Sequence, residues 1–555
     1  MDFSYNNSPL QLQRLYYQPK LPNILSQLRQ VGETTQESQE QSIDPAIKKL
    51  FPQTCNQKPI LFTLQSTLST SHTPKRVGVV LSGGQAPGGH NVIIGLFDAL
   101  QSLHHESRLF GFLNGPSGIL KNEYIEITRD IVQRYRNQGG FDMIGSGRTK
   151  IETPEQFQAA AVTADALQLD AFVIIGGDDS NTNAAILAEY LKAKGLQVDV
   201  IGVPKTIDGD LKNEHIEISF GFDTAAKTYS DIIGNIARDA LSAKKYYHFV
   251  KLMGRSASHI ALECALQTHA NLTLIGEEVF VRGMTLRSIT QEITDLICHR
   301  AEHGKNYGLI LIPEGIIEFI PEFRILISEL NTLLAPEKTH AAVLENLEET
   351  GRKTYLEKQL SQEAFACFTS LPSLIQDQLL MDRDPHGNVQ VSKIETERLF
   401  ISTVAHELSK RKKEGTYNGK FNPQPHFLGY EGRSCFPSNF DAKYCYALGH
   451  VAALLINSNA TGYMCSIKNL AGPVEEWQCG GVPLVSMLVL EERHGKSKPV
   501  IRKALVNLKG EPFRAFDDAR SVWALEDCYA FPGPIQFSGL PAVSESITVT
   551  LSLET

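Results

Sequence analysis

Along most of the chain, short unbroken aliphatic runs alternate with segments whose apolar residues recur every three or four positions. Residues 77–81 (VGVVL) are the first such run. A glycine-rich turn separates them from a segment that sets Ile93, Leu96, Phe97, Leu100 and Leu103 on one face of a helix. Residues 171–175 (AFVII) repeat the arrangement, with Ile186, Leu187, Tyr190 and Leu191 on the next helix and Gly195 as its stop. Residues 198–203 give a third strand, followed by a long helix carrying Tyr229, Ile232, Ile233, Ile236 and Ala240 along one side. Further strands are predicted at 247–253, 272–275 and 309–313. Strands alternating with helices build parallel sheets from βαβ units, so the predicted fold class is α/β. Two stretches depart from this rhythm. Residues 1 to about 70 form an N-terminal extension whose middle, 32–42 (GETTQESQEQS), reads as a linker or exposed loop. From about 318 to 420 the strand pattern fades into sequence rich in Glu, Leu, Gln and Ala, predicted as helices inserted into the α/β body. Its KRKKEG run (410–415) reads as a solvated helix end, where cations suit the negative pole of the helix dipole, in preference to a basic interaction patch.

Composition narrows the function classes. At roughly 150 residues per domain, 555 residues suggest about three or four folding units. A chain that is 42% hydrophobic and 21% charged is not wholesale disordered. With 62 acidic against 53 basic side chains, the net charge of −9 lacks the basic footprint of a nucleic-acid binder. Apolar runs fall far short of the ~18 residues that span a bilayer, and the N-terminus shows no signal-peptide pattern. The expectation is a cytoplasmic protein without membrane or nucleic-acid partners. The nine cysteines include no CxxC pair and read as free thiols. The histidines lack zinc-site spacing, His104 and His105 read as solvent-facing, and Trp477 and Trp523 read as packing residues.

Four loops at strand ends carry the candidate chemistry, because open parallel sheets bind ligands beyond the carboxyl ends of their strands. The first is SGGQAPGGHN (82–91), whose four glycines let backbone approach an anion beside a helix N-terminus; alone it also reads as a structural turn. It matches neither a Walker A loop nor a GxGxxG fingerprint. The second is GGDDSNT (176–182), where Asp178 and Asp179 suit a hard divalent cation or, equally, cap the helix. The third, PKTIDGD (204–210), gathers Lys205, Asp208 and Asp210 within six residues. It offers a general base beside a phosphate-neutralising cation, or a turn with a surface ion pair. The fourth, GSGRTK (145–150), presents Arg148, a planar fork suited to phosphate. Their succession at equivalent places argues for phosphoryl transfer to a small acceptor.

These motifs, with KLMGR (251–255), PEG (313–315) and YEGR (430–433), resemble the phosphofructokinases, specifically their long, pyrophosphate-dependent branch. The resemblance implies two Rossmann-like parallel-sheet domains with a helical insertion and an N-terminal extension. Residues 71–228 with about 429–480 would bind pyrophosphate and Mg²⁺, and 229–428 would bind fructose 6-phosphate. The insertion lies at about 318–420, and 481–555 would complete the core. It implies transfer from pyrophosphate to the sugar 1-hydroxyl, giving fructose 1,6-bisphosphate and phosphate, reversibly. Gly84 and Arg148 would lie at the donor and Asp178 would hold Mg²⁺. Asp208 would be the base, with Thr206 and Ile207 beside it. Met253, Gly254, Arg255, Glu314, Tyr430, Glu431, Gly432 and Arg433 would complete the sugar pocket. Lys245 and Tyr246 would come from a neighbouring subunit, which implies a homodimer or larger homo-oligomer. ATP-using relatives carry glycine where this chain has Asp179 and Lys205. A carboxylate at 179 would repel a nucleotide's α-phosphate, while Lys205 would serve pyrophosphate. The alternatives are an ATP-dependent enzyme, a non-catalytic regulatory subunit, and another small-molecule kinase with a GGD loop, such as a lipid or NAD kinase, which leaves PKTIDGD, MGR and YEGR unexplained. Asp179 with Lys205 opposes the first; the presence of Asp178, Asp208 and Arg255 opposes the second.

Overall fold

The structure, a computed structural model, describes residues 8–35, 43–66, 72–334, 340–380, 389–493 and 496–555. Its strands in chain order begin with β1 (Val31–Thr35), β2 (Ile60–Leu64), β3 (Arg76–Ser82), β4 (Arg108–Phe112), β5 (Tyr124–Ile127) and β6 (Ser146–Gly147). They continue with β7 (Ala171–Gly176), β8 (Asp199–Thr206), β9 (Phe220–Gly221), β10 (Tyr247–Leu252), β11 (Leu272–Thr273) and β12 (Gly308–Pro313). The last are β13 (Pro423–Leu428), β14 (Tyr463–Lys468), β15 (Gln478–Pro483), β16 (Leu488–Arg493) and β17 (Lys496–Ile501).

The large sheet runs β1-β2-β15-β14-β8-β7-β3-β4-β5, with β6 attached to β3 and β9 to β8. Its centre, β14 through β4, is parallel, and its flanks are antiparallel. The central strands read as unbroken apolar runs because both faces are covered. Val77, Val79 and Leu81 of β3 face one core, while Val80 faces another that contains Phe172 and Ile174 of β7. The helix Gly89–Leu103 buries its predicted face and packs on the helix Asn439–Asn457.

The second sheet is parallel throughout, in the order β11-β12-β10-β13. The predicted insertion is helical, from Pro321–Leu333 to Thr396–Lys413, and its Phe323, Leu356, Phe368 and Phe400 share a core with Phe249 of β10 and Ile312 of β12. Lys410 to Lys413 form the last turn of helix Thr396–Lys413, as expected.

The N-terminal region departs from expectation. Gly32 to Thr35, read as linker, belong to β1, which pairs with β2 and through it with β15 of the large sheet. The remainder of that polar stretch, 36–42, lies outside the described residues. β1 is polar because its outer face is an uncovered sheet edge, where composition resembles that of a loop. Upstream, the buried Arg14 donates to Asn137 O and Pro437 O, which anchors the extension to the body. Trp477 and Trp523 are buried packing residues, and all nine cysteines are unpaired. No helix among the described residues is long and apolar enough to cross a membrane.

Candidate active site

The carboxyl ends of β3, β7 and β8 in one sheet face those of β10, β12 and β13 in the other. These apolar strands give way to glycine and polar or charged residues, as in SGG (82–84), GGDD (176–179), MGR (253–255) and EG (314–315), so polar loops collect in one cleft.

The donor-side loops are stitched together. Gly83 (φ +88°) takes a left-handed turn that favours glycine, and its N–H donates to Gly147 O at 2.9 Å. Ser180 Oγ donates to Ser82 Oγ at 2.8 Å. Asn181 Nδ2 donates back to Gly176 O and Gly177 O, and Asn183 exchanges bonds with the backbone of Ile151. Arg148 follows β6 directly and is exposed; among the described residues its guanidinium joins no ion pair. Asp178 and Asp179 open the helix Asp178–Ala193. Asp179 is half exposed, with Oδ1 3.5 Å from Lys150 Nζ.

At the end of β8, Thr206 Oγ1 accepts the Asp208 N–H at 3.0 Å and tightens the turn that presents Asp208. Asp208 Oδ1 is buried and accepts no hydrogen bond. Ile207 is buried in the core behind it. Lys205 is 6% exposed, and a Cβ on Gly83 would stand 3.3 Å from its Nζ. Burial, and then the nearby Arg433, bring its ammonium down to about 8 against the pull of Asp208, Asp178 and Asp210. Burial and then Asp208 push the Asp210 carboxyl up to about 7.

On the facing side, Glu314 Oε2 accepts the Gly254 N–H at 3.1 Å, which fixes the Met253–Gly254–Arg255 turn. Burial and the Asp208 charge raise the Glu314 carboxyl above its ordinary range. Arg433 spans the cleft: Nε donates to Met253 Sδ at 2.8 Å and Nη1 to Gln85 O at 3.1 Å. It occupies the space beside Gly84, where a Cβ would come 2.6 Å from Nη1. Gly432 packs against the Tyr229 ring, while Tyr430 and Glu431 are exposed.

Two predicted site residues stand apart. Lys245 and Tyr246 precede β10, at the opposite end from Met253, which a six-residue strand puts about 20 Å away. Conversely, Lys503 lies within the cleft, although nothing in its sequence context (VIRKAL) carries a motif. Its Nζ donates to Ser256 Oγ at 2.6 Å and sits 3.6 Å from Asp178 Oδ2 and 3.7 Å from Asp210 Oδ2.

Glycine loops, a buried lysine and an unbonded carboxylate oxygen meet between two α/β halves, an arrangement suited to phosphoryl transfer on a small molecule. The chain belongs to the phosphofructokinase family, whose model, described as Phosphofructokinase, matches residues 76–369. It is 54% identical to a Treponema pallidum protein named pyrophosphate–fructose 6-phosphate 1-phosphotransferase, over 99% of this chain and 97% of the relative. It is 49% identical to an Entamoeba histolytica protein of the same name, over 99% of both chains. With the alpha subunit of the Solanum tuberosum enzyme so named, identity is 41% over 98% of this chain and 88% of that one. Among solved structures, a pyrophosphate-dependent phosphofructokinase from Nitrosospira multiformis shares the fold at a TM-score of 0.52 and 16% identity, covering 84% of this chain and 95% of that one.

Proposed function

We propose that this chain transfers a phosphoryl group from pyrophosphate to the 1-hydroxyl of fructose 6-phosphate, giving fructose 1,6-bisphosphate and orthophosphate, and runs the reaction in both directions in the cytoplasm. The observation that carries this reading is Lys205. A buried ammonium beneath two glycine loops, in no ion pair among the described residues, is a cation kept for an anionic ligand. We assign the donor to residues 71–228 with about 429–480 and the sugar to 229–428.

Asp208 accepts the proton of the attacking hydroxyl through its unbonded Oδ1, and in reverse its conjugate acid returns that proton to the departing sugar oxygen. Lys205, Arg148 and the Gly83–Gly84 backbone bind the donor and neutralise its charge. Asp178 offers hard carboxylate oxygen beside the donor loops, which fits Mg²⁺, and it would hold the ion together with substrate phosphates. Bound there, Mg²⁺ neutralises phosphate charge. Glu314, Arg255 and Arg433 orient the sugar, with Met253, Gly254, Thr206 and Tyr430–Gly432 shaping its pocket. Asp179 keeps a carboxylate where a nucleotide's α-phosphate would pass. Lys245 and Tyr246 complete the sugar-phosphate pocket of a neighbouring copy in a homodimer or larger assembly.

The test is Asp208→Asn. It removes the base with little change in shape, so kcat falls about 10²–10⁴-fold in both directions while pyrophosphate affinity persists. A variant that keeps more than a tenth of the wild-type kcat contradicts the assignment.

A further inference from the structure

From the end of β17 the chain crosses the cleft and is fastened to both halves by its own backbone. Ile501 N–H donates to Thr182 Oγ1 on the donor helix at 3.0 Å. Ala504 N–H donates to Asp210 O at 2.7 Å, and Ala504 O lies 3.0 Å from His259 Nε2. Val506 N–H donates to Glu277 Oε1 at 2.9 Å, the same oxygen that accepts the Ser258 N–H. The crossing is therefore held without help from the Lys503 side chain. That side chain is one-third exposed, and its ammonium stands between Asp178 and Asp210 with Ser256 Oγ as its hydrogen-bond partner. A tethered cation thus occupies the space beside the carboxylate assigned to the divalent ion.

We propose that Lys503 is a positioning residue of the donor site, a built-in counter-cation that holds Asp178 and Asp210 in place and yields Asp178 to the divalent ion only when pyrophosphate arrives to receive its ammonium. The proposal deepens the function proposed above and rests on it. The chemistry is ionic exchange. Without a phosphate ligand, a divalent ion must displace an ammonium 3.6 Å from Asp178, which leaves that ammonium poorly paired. With pyrophosphate present, the ammonium finds phosphate oxygens and the carboxylate finds the metal. Metal and pyrophosphate therefore bind as one unit, and metal alone binds weakly.

The experiment measures Mn²⁺ binding by electron paramagnetic resonance to the full chain, first without any phosphate ligand. K503M keeps an unbranched side chain one atom shorter and removes its charge. Losing a cation this close to a carboxylate tightens binding of Mn²⁺ alone by about tenfold or more. The KM for pyrophosphate rises by a similar factor, and the KM for fructose 6-phosphate stays within about twofold. K503R, which keeps the charge, binds Mn²⁺ as weakly as wild type. A lysine with a purely structural role would lower the melting temperature but would not tighten Mn²⁺ binding. Unchanged or weaker Mn²⁺ binding by K503M overturns the proposal. Wild type supplies a second measurement if K503M fails to fold: methylenediphosphonate, which cannot be cleaved, tightens Mn²⁺ binding by at least about tenfold, and independent binding of the two overturns the proposal. Absence of turnover with pyrophosphate in wild type strikes the functional reading instead, and the Mn²⁺ data still decide the role of Lys503.

Discussion

Lys205→Met separates stability from function at a single atom. The fall of the Lys205 ammonium from 10.5 to about 8 is already net of the attraction of Asp208, Asp178 and Asp210. At ~1.36 kcal/mol per pH unit, it corresponds to about 3 kcal/mol by which the fold disfavours the charged side chain. The sign follows from proton binding. Below pH 8 both folded and unfolded chains carry the proton, and the whole cost is present. Between about 8 and 10.5 only the unfolded chain binds it, so stability rises with pH across that window. Methionine fills most of that space without charge, ending one atom short of the ammonium position. Lys205→Met should therefore resist denaturant better at pH 7, by up to about 3 kcal/mol, with the advantage gone by about pH 10.5. Its kcat/KM for pyrophosphate should fall about 10²–10³-fold. Denaturant unfolding of both proteins at pH 7 and pH 10, with initial rates on the same preparations, reads both effects. A variant less stable than wild type at pH 7 would refute the reasoning, because Lys205 would then be a structural lysine with a partner.

Other perturbations address the remaining assignments. Asp179→Gly combined with Lys205→Gly should raise ATP-supported turnover by at least about tenfold, since it removes the repelling carboxylate; no gain means that the barrier to ATP lies elsewhere. Mixing and reassociating Lys245→Ala with Asp208→Asn, each nearly inactive alone, should restore about a quarter of wild-type activity in a symmetric dimer, because half the dimers are hybrids with one intact site each. Mixtures as inactive as their components would show that Lys245 serves its own chain. At Gly315 an added Cβ would stand 1.8 Å from Arg255 O, so Gly315→Ala should displace the sugar-side turn. The KM for fructose 6-phosphate should then rise about tenfold or more while that for pyrophosphate stays near its wild-type value. Equal effects on both KM values would mean that the turn also shapes the donor loops.

The parallel cores were legible because covering both faces of a strand forces an uninterrupted apolar run, as in 77–81 and 171–175. The insertion was legible for the opposite reason, since helical composition there displaces strand pattern. β1 was not, because an edge strand with one exposed face has the composition of a loop. Nor was the return of the C-terminal chain to the cleft, which depends on long-range contacts such as Ala504 with Asp210. The same distinction holds for the site. Asp178, Lys205 and Asp208 lie at or just beyond strand ends beside glycines, where backbone geometry leaves a mark in sequence. Lys503 reaches the same cluster from a hairpin nearly three hundred positions beyond Asp208, and no local spacing encodes that approach. Lys245 and Tyr246 were expected at a site, and the chain places them at the end of β10 away from its own cleft.

The most direct test supplies the purified protein with fructose 6-phosphate and Mg²⁺ and varies only the phosphoryl donor, following fructose 1,6-bisphosphate. The account predicts turnover with pyrophosphate and none with ATP, and formation of pyrophosphate when fructose 1,6-bisphosphate and orthophosphate are supplied instead. Turnover with ATP alone would contradict the roles given to Asp179 and Lys205. Silence with both donors would contradict the account of catalysis itself.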